Sequence, residues 1–496
     1  METFDMDATN GFLDSKWYHL YCSVQRCNSA LRVLNAATDE QVNGRVSRIA
    51  EMKVLRAHYY FELSRLFNKI PYFDENVEIS QYPDIPNNEF TRDEILSMLA
   101  KEMLDAAELL PASQSEVGRI HKYIALAYAA KIKLYQAYQQ DETTHAVTSI
   151  NKELLREVVS LCDQVTASNR YGLLDDFQGL DLVTNENGKE SVFAIQYSMN
   201  DGTESAGRIN WSNLLNSPGG GSPYGGDGFF LPSQDLINAY QTDANGLPDF
   251  NYQSKSDYSW AVLNNGVYTL QNTTPNVDPR LDFVVGRPTI TWKTYPDKPC
   301  EGWVRDKETY GYNCAKRFWV SPESSDMFNG WPWGASQLNW QIIRYADILL
   351  WKAEALIELN EGDGLETARD LINQIRNRAR NSAYVKDFND HSKYAANYLV
   401  NPYPADVWNQ DYARQALRWE TRLEKALEGE RFFDLVRWGI VETTMNKYIT
   451  AESDNRIYYA NAHFTGGKDE YYPVPNNQYG FSGGKYVQNP GYAPFN

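Results

Sequence analysis

The residue types best suited to chemistry in this chain are flat aromatic rings set among uncharged hydrogen-bonding groups. In FNGWPWGASQLNW, residues 328–340, Trp331 and Trp333 flank Pro332, with Asn329, Gln337 and Asn339 close by. Pro332 fixes its own φ, and Gly330 and Gly334 permit the backbone reversal, so the spacing predicts a hairpin-like tip. An indole lying flat covers the apolar C–H face of a sugar ring while nearby amides bond the hydroxyls, at little cost in rotamer freedom. Trp292, Tyr295, Trp303, Tyr310, Tyr312, Trp319 and Trp340 crowd into the same irregular stretch. The candidate ligand-binding residues are therefore Trp331, Trp333 and Asn329, then Trp292 and Trp303, then Tyr224 in the glycine-rich segment 217–230, and last Tyr72. Each ring alone has an ordinary alternative, a small core that ties a long loop down. Taken as a set, at least two are expected to stand on a binding surface. Covering about 60–100 Å² of apolar surface per ring yields about 1.5–2.5 kcal/mol. A few such rings, less ordering costs, imply a Kd from about 0.1 mM to several mM per site. Avidity along a polymer would have to supplement such a site.

Catalytic and metal patterns are weak by comparison. The chain has no HExxH, GxxxxGK[ST] or GxGxxG motif. Gly480-Phe481-Ser482-Gly483-Gly484 matches GxSxG, but no histidine follows it, so the hydrolase order of nucleophile, acid and base fails. Asp5, Asp7 and Thr9 hint at a calcium loop, yet Asn10 replaces the turn glycine and Lys16 stands where a bidentate Glu belongs. Cys22, Cys27, Cys162, Cys300 and Cys314 form no CxxC pair; Cys300 and Cys314 lie near enough in sequence to pair or to stay as thiols. No catalytic residue, metal ligand or cofactor site is assigned.

Composition narrows the partners. A hydrophobic content of 42% with 23% charged residues describes a globular chain. The formal charge of −18 repels phosphate backbones and anionic lipid surfaces, which argues against nucleic acid. The most apolar window, 342–351, is interrupted by Arg344 and Asp347 and is too short to span a bilayer. Arg369, Arg376, Arg378 and Arg380 are spread around a predicted helix and read as a solvated face.

The elements that must position these residues are helical at both ends. Periodicity predicts helices over 12–36, 46–69, 92–110, 119–139, 151–168, 342–359 and 365–380, with a capping box at Thr91 and Glu94 and a helix pair over 418–439. Between them, 171–340 is rich in Gly, Asn, Asp, Pro and aromatics, with only short strand candidates such as 191–198 and 281–286. Irregular segments of that length usually carry function.

Several runs in order, LRAHYYFELSRLFNKIPYF (55–73), PSQDLINAYQ (232–241), DPRLDFVV (278–285), RYADILLWKAEALIELN (344–360), RWETRLEKALEGERFFDLVRWG (418–439) and YYPVPNNQ (471–478), resemble the SusD/RagB family of surface lipoproteins. Asn68-Lys69-Ile70-Pro71 departs from that family's Gly-Asp-Val-Pro turn. The resemblance implies a mainly α fold: a tetratricopeptide-like helical-repeat scaffold with a long loop-rich region containing short β-strands. It implies a single domain over 1–496, with 1–170 and 340–447 as scaffold and 171–339 and 448–496 as the ligand-facing elaboration. It implies a glycan ligand, no enzymatic activity, delivery to a TonB-dependent, SusC-like transporter, and a place at the cell surface of the outer membrane. Family members begin with a lipoprotein signal and a lipidated Cys. Residues 1–16 show neither, and the expectation is that those segments have been trimmed. Ligand contacts vary across the family, so the site residues above rest on the loop aromatics. Peptide capture on the same scaffold and a helical-repeat scaffold for protein partners are the alternatives. The scaffold reading predicts loop aromatics that are buried and mutually packed.

Overall fold

The structure, a computed structural model, describes residues 2–203, 207–211, 216, 219, 221–259, 261–264, 267–270, 275–293, 303–306, 309, 311, 313–330 and 334–495. It is mainly α-helical, and among the described residues the strands pair in two-stranded ladders. The chain divides into two compact units, one of Met1–Asn169, Phe432–Asn446 and Asn461–Asn496, the other of Arg170–Arg431 and Lys447–Ala460. The residues expected to form one helical scaffold, 1–170 and 340–447, are thus shared between the two.

In the first unit, α1 (Gly11–Ala36), α2 (Arg45–Phe67), α3 (Arg92–Leu109), α4 (Lys122–Ala137) and α5 (Lys152–Ala167) each pack on the next in sequence. That neighbour-on-neighbour stacking is how helical repeats build a core. The ends are set by side chains: Asn10 accepts from the amides of Phe12 and Leu13, Thr91 and Glu94 form the predicted capping box, and Asn151 accepts from Glu153 and Leu154. Ala125, Ala127, Ala129 and Ala130 are fully buried on α4, where small side chains let neighbouring helices approach closely. The C-terminal segment is stitched onto this unit, Asn489 Nδ2 donating to the Phe67 and Tyr472 carbonyls at 2.7 Å each.

The second unit is organised by charge. Glu420, Glu424 and Glu428 recur every four residues and make one stripe, the first two on helix Gln410–Glu424. Arg280 reaches Glu420 at 2.6 Å, Glu424 at 3.2 Å and Asp278 at 2.7 Å, with every one of these side chains fully buried. Arg344 bridges Glu190 (2.8 Å), Glu424 (3.1 Å) and Glu428 (2.7 Å). Arg376 holds Glu420 at 3.0 Å, and Arg378 pairs with Glu190 and Glu424. Arg376 and Arg378, read from sequence as part of a solvated face, are therefore interior; Arg380 alone of that group is exposed. The partners lie up to 188 residues apart in sequence, so the network ties helices Tyr345–Leu359, Gly364–Asn381 and Gln410–Glu424 to the loops before them.

Two local expectations change. The helix expected from 342 starts at Tyr345, because Trp340–Arg344 pairs as an antiparallel strand with Ser191–Ile195. Residues 281–286, expected as a strand, are helix Arg280–Val284 followed by a short strand, Val285–Gly286. Pro279 sits at its N-cap in the helical region, and the Asp278 carboxylate accepts from the Arg280 amide at 2.9 Å, which starts a turn.

Burial alone would push the Glu424 carboxyl up, but Arg378, Arg344 and Arg280 outweigh it and hold it at about 2. Its folded value lies below the ordinary 4.5, so this stabilisation is present at neutral pH and is lost as pH falls from about 4.5 through about 2. Glu424→Gln is expected to cost about 3–5 kcal/mol in urea unfolding at pH 7. The variant should also show a shallower loss of stability on acidification than the parent chain.

Candidate functional site

The residues on either side of the expected tip pair with each other. Met327 bridges Ser336, the Phe328 amide donates to the Ala335 carbonyl at 2.8 Å, and Ser336 is bridged on its other side by Asn210. Gly334 has φ +75°, and a Cβ there would come within 2.6 Å of the Trp319 ring, so only glycine fits. Asn329 is exposed near the turn. Trp331 and Trp333, with Pro332, lie outside the described residues, as do Tyr295, Tyr310 and Tyr312.

Trp292, Trp303 and Tyr224 do not stand clear of the interior. They are 1%, 3% and 1% exposed and pack with Trp319, Val304 and Cys314 into a separate small core. Trp292 meets Trp303 edge-on at 5.1 Å, and Tyr224 lies 4.7 Å from Trp319. The polar atoms are satisfied inside: Trp292 Nε1 donates to the Tyr224 hydroxyl at 2.8 Å, and that hydroxyl donates to the Val320 carbonyl at 2.8 Å. A buried indole or phenol with a partner for its N–H or O–H is stable inside, and these rings keep no free face for a ligand. Their work is to brace the hairpin through Gly334 and Trp319. Tyr72 belongs to the other unit, half-buried against Tyr60 and Phe90.

Beside the paired residues 327–328 and 335–336 runs a groove of about 660 Å³ between 198–203 and 207–209 on one side and 322–329 on the other. Its lining includes Ser198, Asn200, Thr203, Ser324, Ser325 and Asn329, with Met199, Ile209, Met327 and Phe328 as apolar surfaces. Among the described residues of that lining the one charged side chain, Arg208, is held by Asp201 at 3.3 Å. Hydrogen bonds from Ser198 and Thr203 to Asp201 keep its carboxyl well below the usual range. Trp211, beside Asn210, leaves 47% of its surface exposed. The arrangement offers neutral donors and acceptors among apolar surfaces.

Across the segment 320–326 lies a second cavity of about 740 Å³, with Ser324 lining both. Its inner wall holds Phe177, Asp181, Phe283, Lys293, Lys316 and Arg317. Asp181 accepts from Lys293 Nζ and Arg317 Nε, each at 3.0 Å. Burial raises the Asp181 carboxyl, but Lys293 and Arg317 outweigh it and the net shift is downward; burial pulls the Lys293 ammonium down against the opposing pull of Asp181. Nearby, Glu186 accepts from the Asn339 amide and is pushed up to about 7, by burial first and with Asp326 adding to it.

Sequence reasoning named Asn329, which lines the groove. It did not name Phe328 as a lining residue, the facing residues 198–203 and 207–209, or the second cavity, whose Asp181 and Arg317 are 136 residues apart. The sequence near-misses for chemistry are structural. Ser482 Oγ donates to the Tyr479 carbonyl at 2.7 Å just past helix Asn476–Phe481, and Asp7 Oδ1 is engaged by the Thr9 amide and hydroxyl. Among the described residues no cluster of His, Cys, Asp and Glu could hold a metal ion.

The sequence model of the SusD family matches residues 189–492. The chain belongs to the SusD family. A model described as starch-binding and associating with the outer membrane matches residues 3–134. SusD-like protein P2 of Formosa agariphila is 24% identical over 498 residues, covering 99% of this chain and 83% of that protein. A SusD superfamily protein from Bacteroides vulgatus superposes with a TM-score of 0.70 at 21% identity, over 99% of this chain and 88% of that one. Surface glycan-binding protein A from Bacteroides thetaiotaomicron, solved in complex with laminarihexaose, superposes with a TM-score of 0.61 at 18% identity, over 98% of this chain and 87% of that one. The tetratricopeptide-like helical fold expected from sequence is therefore the fold of the SusD family. Among the described residues no helix is long and apolar enough to cross a membrane.

Replacing Tyr224 by Phe removes the hydroxyl that links Trp292 to Val320 and leaves a buried indole N–H without its acceptor. The expected cost is about 1–3 kcal/mol in chemical denaturation, with the far-ultraviolet spectrum unchanged.

Proposed function

We propose that this SusD-family protein captures oligosaccharide or polysaccharide at the cell surface without catalysis and passes it to a TonB-dependent, SusC-like transporter in the outer membrane, held there by a lipid anchor. The observation that carries the reading is the groove along hairpin 327–336. Its uncharged hydroxyls and amides, set among Phe328, Met199 and Met327, match a ligand that is hydroxyl-rich on its edges and apolar on its faces. The relative that binds laminarihexaose shares the fold. Asn329 remains a proposed contact, as do Trp331 and Trp333 at the tip.

A second reading has its own observation. The mutual packing of Tyr224, Trp292, Trp303 and Trp319 is what a protein-interaction scaffold predicts. The groove beside that core separates the two readings, because a scaffold has no use for it.

Native affinity gels loaded with neutral polysaccharides test the proposal. The chain is expected to be retarded by at least one, and Phe328→Ala combined with Asn329→Ala should weaken binding about tenfold or more. Equal mobility on every glycan, or binding untouched by the double substitution, would contradict it.

A further inference from the structure

The second cavity plays no part in the groove reading, and its chemistry is different. Its volume, about 740 Å³, lies within the roughly 300–1,000 Å³ of small-ligand pockets. It is closed at its floor: Phe177, Asp181, Lys316 and Arg317 are buried, whereas Asp175, Leu182 and Glu323 on its rim are exposed. Phe177 offers no ring face, since the guanidinium groups of Arg317 and Arg378 lie over it at 5.2 and 4.9 Å. A ligand here is held by hydrogen bonds.

The donors and acceptors are unusual in being paired and still incomplete. Asp181 spends one bond per carboxylate oxygen, on Lys293 and on Arg317, and each oxygen keeps a further lone pair. Among the described residues, Lys293 has Asp181 as its hydrogen-bonding partner, which uses one of three donors. The cavity lining therefore carries a strong acceptor beside a strong donor, the pattern that suits adjacent hydroxyls, each of which both donates and accepts. Net charge does not favour an acid. Arg317 and Lys293 face Asp181 and Glu428, Lys316 is taken up by the Asp282 and Thr291 carbonyls, Lys189 pairs with Asp175, and the rim adds Asp176, Glu323 and Asp326. The backbone is left-handed at Lys293 (φ +48°) and Phe318 (φ +67°), beside or within this wall. Bulky residues adopt that conformation at a cost, and such strain gathers at ligand sites.

We propose that this cavity is a second saccharide pocket, taking one or two uncharged sugar units through hydroxyl bonds to Asp181 and Lys293 without ring stacking. For its ligand class the pocket rests on the glycan-capture reading. For its location it stands on its own residues.

The test is the melting temperature of the full chain with glucose, galactose, mannose, xylose, maltose and cellobiose at high-millimolar concentration. Four proteins are compared: the parent, Lys293→Met, the rim variant Leu182→Trp, and the groove variant Phe328→Ala with Asn329→Ala. At least one sugar should raise the melting temperature of the parent and of the groove variant by about 2 °C or more. Lys293→Met and Leu182→Trp should lose that rise. Leu182 is 52% exposed, so its variant keeps the fold while closing the mouth. A rise that survives in both cavity variants, or one that vanishes in the groove variant, overturns the pocket. A chain retarded by polysaccharide gels yet unmoved by every small sugar loses the pocket alone. A chain that no polysaccharide retards, but that a small sugar stabilises through Lys293, keeps the pocket and loses polymer capture.

Discussion

The second unit depends on guanidinium groups buried against one stripe of glutamates. Glu420 and Glu424 have no exposed side-chain surface, and neither has Arg280 or Arg376. Ions removed from water are costly unless geometry and additional hydrogen bonds compensate. Here Arg376 also donates to the Asn401 and Gly246 carbonyls at 2.7 and 2.8 Å, and lies 4.4 Å from the Tyr403 ring. Such a network adds less net stability than an apolar core of equal volume would. It does penalise any other arrangement of the loops, because each mispairing strands a buried charge.

That constraint reaches the candidate site through particular residues. Arg344 ends the strand that follows the hairpin, and the Asp347 carboxylate accepts from its amide at 2.7 Å to begin the next helix. Arg317 leaves the network to form the floor of the second cavity, sharing Glu428 with Arg344. The aromatic core of Tyr224, Trp292, Trp303 and Trp319 braces the hairpin from the other side. A long irregular segment can thus present a defined groove without regular secondary structure, because its fixed points are ionic and aromatic.

The helices were legible because their signals are local: a 3.6-residue apolar period, Asn or Thr caps, and prolines or glycines at the ends. The chain reversal that pairs 327 and 328 with 336 and 335 was legible for the same reason, Gly330 and Gly334 lying between them. The aromatic loop was misjudged because nothing local distinguishes a ring that finds partners inside from one that stays on the surface. Trp292 finds its acceptor 68 residues away on Tyr224. The arginines of helix Gly364–Asn381 were misjudged likewise, since their carboxylates come from Glu190, Glu420 and Glu424. One signal was overlooked: glutamates at 420, 424 and 428 recur at the four-residue spacing that sets side chains on one face of a helix. A charged stripe facing inward is rare enough that the ordinary reading, a solvated surface, was the natural one.

The central claim is that sugar lies in the groove lined by 198–203, 207–209 and 322–329. It is tested most directly by a crystal structure of the chain with the glycan that retards it most. The account predicts ordered sugar rings against Phe328, with hydroxyls on Asn329 and Ser324. Sugar bound on another face, with the groove left empty, would contradict it.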